Sequence, residues 1–148
     1  MNKRVVYSCV GILIVIFIVV LILFVGDDLH KEDVKSMEGI DFLLETDIYS
    51  DDKESISGII YNKTEEKYTS GDAYYLKCLK DDSWVVVSPK VNTSEDLLYI
   101  YEENSKIERK YNLKEKYYPL EKRIYKIGVV ITNTRDESFS IEAQFQVN

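Results

Sequence analysis

The sequence predicts an all-β fold, an antiparallel β-sandwich of about seven strands, preceded by one N-terminal transmembrane helix. Three observations carry this reading. Residues 5–25 contain no charged side chain. From Ile40 onwards apolar residues recur with period 2, the spacing of half-buried strands. Short polar clusters such as Lys80-Asp81-Asp82 interrupt the alternation at turn-like intervals.

The first element is the apolar run. At about 1.5 Å per residue it makes a helix about 31 Å long, matching a hydrocarbon core of about 30 Å. Lys3 and Arg4 precede it and Asp27 and Asp28 follow it. The positive-inside rule therefore puts residues 1–4 in the cytoplasm as a stub and everything after Gly26 outside the cell. A cleaved signal peptide would have a shorter apolar region ending in small residues. This one ends Leu23-Phe24-Val25, which favours an uncleaved anchor over residues 5–25. Residues 26–39 are polar and contain no aromatic side chain, so they read as a stalk.

Residues 40–148 then form one domain, since about 122 residues beyond the anchor suffice for one core and not comfortably for two. Ile40, Phe42 and Leu44 begin the first strand, and Ile56, Gly58 and Ile60 share a face of the second. Residues 73–79 and 83–88 flank the acidic turn at Asp81-Asp82 as a hairpin. Residues 97–101, 106–113 and 123–131 follow. Phe139, Ile141, Ala143, Phe145 and Val147 alternate with polar residues in the last strand. No helix is expected after the anchor. Trp84, Tyr74, Leu76, Tyr125, Phe139, Ile141 and Phe145 are the expected core, with Val86 near Trp84. Gly71 is expected to hold a backbone conformation closed to side chains. The tyrosines, 12 in the chain, suit core and rim positions, or alternatively an aromatic binding face.

Removing Lys3 and Arg4 from the 19 basic residues leaves 17 against 26 acidic ones, so nucleic acid is not an expected partner. Basic residues concentrate between Lys106 and Lys126. Lys106, Arg109, Lys110, Lys122 and Arg123 are a candidate binding patch, although alternating solvent-facing strand positions would give the same pattern. Cys78 is the sole cysteine beyond the apolar run, which precludes a disulfide within the domain and points to a bacterial envelope protein. Two N-x-S/T sequons begin at Asn62 and Asn92; in a bacterium they are chance matches.

Tyr68, Gly71, Tyr74, Leu76, Leu79, Asp81 and Trp84 fall in an order that resembles the bacterial immunoglobulin-like (Big-type) domain of Gram-positive envelope proteins. The segment from Ile56 to Asn62 is similar to that family's preceding strand, Leu120 to Lys126 to a later element ending in Tyr, and Ile141 to Val147 to its last strand. Lys122 and Arg123 stand where the family has Pro-Gly, and residues 91–116 show no match. The resemblance implies an immunoglobulin-like sandwich that binds or spaces, with no catalytic residues to carry over. Tyr125 is expected either to reach back from its strand to a loop backbone in the manner of a tyrosine corner or simply to pack in the ordinary way.

The residues themselves give no catalytic, cofactor or metal site. His30, the only histidine, lies in the stalk, Cys78 lies on a strand without a neighbouring base, and Asp51-Asp52 and Asp81-Asp82 sit in turns where Asp is common. The expected function is a non-catalytic, membrane-anchored extracellular module contacting a protein or cell-envelope polymer. The alternative is a small membrane-tethered immunity or inhibitor protein acting on an extracellular toxin or hydrolase. Protease added outside intact cells should remove the C-terminal domain and spare the N-terminal end. Recovery of a soluble chain starting near Gly26 would overturn the anchor.

Overall fold

The computed structural model describes residues 35–50, 52–92 and 95–148. The expected span at 5–25, the stub, Cys9, His30, Asp51 and residues 26–34 of the stalk lie outside the described residues. Among the described residues no helix is long and apolar enough to cross a membrane.

The strands are β1 (Lys35–Ser36), β2 (Ile40–Leu44), β3 (Ile48–Tyr49), β4 (Ile56–Asn62), β5 (Tyr68–Gly71) and β6 (Tyr75–Lys80). β7 (Ser83–Val87), β8 (Leu98–Tyr101) and β9 (Lys106–Tyr111) follow, then helix α1 (Leu113–Tyr117), β10 (Ile124–Asn133) and β11 (Ser138–Val147). The smaller sheet is β2-β4-β9, antiparallel throughout. The larger is built on the long β10–β11 hairpin. β5 and β6 both lie along the other side of β10, with β8 beside β5 and β7 beside β6.

β1 and β3 run parallel to β11 on its far edge, so the sandwich is not antiparallel throughout as expected. Two residues are too few to show a period, which is why neither strand was legible. β1 also corrects the stalk boundary, because Lys35 and Ser36 already pair with Phe139 and Ser140. A second correction is α1. Asn112 caps it by accepting at its Oδ1 from the Glu115 backbone amide at 3.2 Å, while its side-chain Nδ2 donates to the Glu115 carboxylate at 2.9 Å. That reciprocal cap starts a helix, and Leu113 and Tyr117, four apart, both turn into the core.

One core runs between the sheets. Leu76, Ile60, Ile127, Val129 and Ile131 are fully buried, and Ile141 and Phe145 nearly so, whereas Phe139 and Tyr74 are partly buried against them. Tyr125 stacks on Phe145 at 5.6 Å and donates its hydroxyl to the Glu121 carbonyl at 3.0 Å. This is the tyrosine-corner arrangement, with the hydroxyl returning to backbone four residues upstream. Burial pushes that hydroxyl up to about 12.

Asn62, wholly buried, ties down one end of the sandwich. Its amide donates to the carbonyls of Glu66, Tyr101 and Glu102, and its Oδ1 accepts from Thr64. An amide so engaged is closed to glycosylation in the folded domain.

Trp84 does not plug the core. Asp81 and Asp82 both take left-handed conformations, φ 46° and 60°, the two-residue turn whose twist suits a hairpin. That turn pairs Lys80 with Ser83 and hence Leu79 with Trp84. Leu76 and Cys78 face inwards, so Trp84 and Val86 face outwards with Leu79 and Lys77. Trp84 is half-buried under Lys126, whose Nζ lies 4.6 Å from the ring centroid, and Val86 is 64% exposed. Gly71 also departs from expectation, since its φ is not positive and a Cβ there would meet nothing within 4 Å. A glycine that does yield space is Gly128, where a Cβ would overlap the Tyr75 ring lying across it.

Leu76→Ala should cost about 2–5 kcal/mol, the range for emptying a packed core site. Trp84→Ala should cost only about 1 kcal/mol, the worth of one cross-strand and cation–π contact. Urea denaturation of both variants measures this, and equal losses would return Trp84 to the core.

Candidate functional site

The site begins with a cation inside a sandwich. In β9 the alternation turns Ile107, Arg109 and Tyr111 towards the larger sheet, and Arg109 is only 3% exposed. A buried guanidinium must have its donors matched. Nη1 donates to Ser70 Oγ at 3.1 Å and Tyr101 Oη at 3.2 Å, and Nη2 to the carbonyls of Gly71 at 3.3 Å and Asp72 at 3.2 Å. The Asp72 carboxylate stands 3.9 Å away. The Tyr99 ring lies 4.0 Å from the guanidinium carbon and the Tyr111 ring 5.2 Å, so the plane is stacked as well as bonded.

These bonds explain a break in the large sheet. β5 and β6 follow one line along β10, yet residues 72–74 between them leave the ladder. The Gly71 and Asp72 carbonyls turn instead to Arg109. Beside the break is a groove of about 550 Å³, lined among others by Asp72, Tyr74, Tyr99, Glu95, Lys110 and Lys116. Tyr74 donates to the Asn112 carbonyl at 2.8 Å, and Lys116 Nζ lies 4.5 Å above the Tyr74 ring. Burial raises the Tyr74 and Tyr111 hydroxyls above the ordinary tyrosine range, so both remain protonated. The groove thus offers aromatic surface flanked by carboxylates and ammonium groups, suited to holding a polar ligand at several points.

The five residues of the candidate basic patch are not brought together. Arg109 is interior. Lys106 lies at the Asn62 end of the smaller sheet, paired with Tyr61. Lys122 and Arg123 are exposed ahead of β10, at the end remote from Asn133, and Arg123 pairs with Glu121 at 2.6 Å. The length of β10, about 30 Å at about 3.3 Å per residue, separates those ends. Only Lys110 joins the groove. Sequence reasoning missed Asp72, Tyr99 and Lys116, and the inward phase of Arg109 between Ile107 and Tyr111 was the available signal.

On the outer face of the larger sheet, Glu142 accepts from Tyr75 at 2.9 Å and Lys77 at 2.5 Å and pairs with Lys126 at 3.2 Å. Burial opposes its charge, but these donors hold the carboxyl below its usual range. Burial pushes the Tyr75 hydroxyl up to about 12. Cys78 is a buried free thiol. Among the described residues no group of three or more His, Cys, Asp or Glu is placed to hold a metal ion.

The family model of the bacterial Ig-like domain matches residues 36–146, and the chain belongs to that family. The class is that of an extracellular-type binding module, in general non-catalytic. A search of curated proteins returns no significant match. Among solved structures, the chain is similar to the archaellum periplasmic stator complex FlaF and FlaG from Sulfolobus acidocaldarius. That match has 10% identity and a TM-score of 0.39, over 79% of this chain and 96% of that one. The sporulation control protein Spo0M from Bacillus subtilis matches at 12% identity and a TM-score of 0.39, over 74% and 48% of the respective chains. The CsuC-CsuE chaperone-tip adhesion subunit complex of Acinetobacter baumannii matches at 8% and 0.37, over 72% and 54%.

Arg109→Lys keeps the charge and loses the planar fork. It should lower stability by roughly 1–3 kcal/mol through unmatched partners. Unchanged denaturant stability would show that the guanidinium does not hold the break.

Proposed function

We propose that this chain is a single-pass, membrane-anchored bacterial protein whose Ig-like domain stands outside the cell and holds a protein or cell-envelope polymer without transforming it. The observation that supports the reading is the groove beside the Arg109-held break. It combines ring faces of Tyr74 and Tyr99 with charges of both signs from Asp72, Glu95, Lys110 and Lys116, in a domain of a binding family. Such a mixed lining favours a ligand that is neutral or carries both signs over a pure polyanion. The apolar run after Lys3-Arg4 supports the membrane location.

The full chain in detergent should co-sediment with isolated envelope material, including wall stripped of its anionic polymers. Lys110→Glu with Lys116→Glu should weaken that binding about tenfold, equivalent to about 1.4 kcal/mol, with an unchanged unfolding midpoint. Full retention by the double variant would move the contact away from the groove. Binding that vanishes when anionic polymers are stripped would identify a polyanion instead.

A further inference from the structure

Among the described residues, the larger sheet ends in an edge that nothing covers or charges. β7 pairs with β6 and with no other strand, and its sequence, Ser83-Trp84-Val85-Val86-Val87, contains neither a charge nor a proline. Val85 is 45% exposed and Val86 64%. An open apolar edge is a template for another strand, and proteins usually blunt it with charges, proline or bulges.

The edges at β2, β9 and β8 are blunted. β2 carries Asp41, paired to Lys63, and β9 points Lys106, Glu108 and Lys110 outwards. β8 is flanked by Glu95 and Asp96 on one side and Glu102 and Glu103 on the other. Two antiparallel copies of β8 would set these acids against each other. The flanks of β7 do the opposite, with Asp81 and Asp82 before the strand and Lys90 after it. Lys80, the remaining nearby cation, belongs to β6, one strand in from the edge.

We propose that β7 is a pairing edge at which two copies of this chain join antiparallel, with Val85 on the two-fold axis. The register follows from the hairpin. A two-residue turn makes Lys80 and Ser83 a hydrogen-bonded pair, so alternation commits the amides and carbonyls of Ser83, Val85 and Val87 to β6. Those of Trp84 and Val86 point to the open edge. Pairing Trp84 with Val86 of the second copy, and the reverse, satisfies all four groups on each strand. It also makes two aromatic–β-branched pairs on one face, a favourable cross-strand combination. The same register sets Asp82 of each copy opposite Ser88 of the other and Asp81 opposite Pro89, one residue short of Lys90. This pairing is independent of what the groove holds.

Val85 on the axis is a non-hydrogen-bonded pair with Cα atoms about 4.5 Å apart, within disulfide reach. Val85→Cys in the full chain in detergent, with Cys9→Ser and Cys78→Ala to remove other thiols, should oxidise mainly to a linked dimer. Val130→Cys, exposed on the central β10, should not. Cross-linking of Val85→Cys no greater than that of Val130→Cys overturns the proposal, and linkage to a different membrane protein overturns the second copy in favour of a foreign strand. Sedimentation of the chain without introduced cysteines supplies the second measurement. Val85→Lys, which opposes two like charges on the axis, should weaken the dimer tenfold or more, and Lys90→Asp should weaken it less. A dimer that persists undiminished in Val85→Lys overturns the β7 seam.

Discussion

The interior cation is the constraint around which the groove-bearing part of this domain is arranged. Taking a guanidinium out of water is costly unless its donors are met. Arg109 meets four contacts with groups that lie on or next to β5 and β8, while its own strand belongs to the opposite sheet. The two sheets are therefore joined by directional bonds at this point as well as by apolar contact. Two of those bonds are to backbone carbonyls that would otherwise continue a strand, so the break between β5 and β6 and the satisfaction of Arg109 are one feature. The groove beside it is a consequence. Among the described residues, Arg109 Nε and Tyr111 Oη have no hydrogen-bond partner although both are buried, the remaining cost of placing polar groups there.

On the other side of Tyr101 the same problem is solved with a neutral group. Asn62 uses its donors on the carbonyls of two loops and its acceptor on Thr64. The hairpin of β10 and β11 runs from this region to the other end of the sandwich, where Tyr125 closes the corner onto Glu121. Loops that need defined positions are thus held by buried polar side chains, and the strands between them by packing. This division fits a domain that presents surfaces on a fixed frame.

How much of this was legible depended on whether a segment carried its own phase. β11 did, because its apolar and polar residues alternate without interruption, and β4 did through Ile56, Gly58 and Ile60. β7 did not. Trp84 to Val87 is apolar on both faces, so its side was set by the turn, and counting from Lys80-Ser83 would have turned Trp84 outwards. β1 and β3 have no phase to read at two residues each. The groove was hidden for a related reason. Lys106, Arg109 and Lys110 look alike as composition, but period 2 sends Arg109 inwards and Lys110 outwards, and only the fold brings Asp72 and Lys116 to the same place.

The charge of the molecule bears on what that groove can hold. With a formal net charge of −7, the chain repels polyanions at long range, although screening limits this to about 8 Å at physiological ionic strength. Inside that distance the local pattern decides. Lys110 and Lys116 line the groove together with Glu54, Asp72, Glu95 and Glu115, so a polyanion gains two favourable contacts and meets four unfavourable ones. A peptide with both signs, or a neutral saccharide stacked on Tyr99, avoids that penalty. The ring faces, whose attraction does not depend on ligand charge, then carry the larger share of the contact.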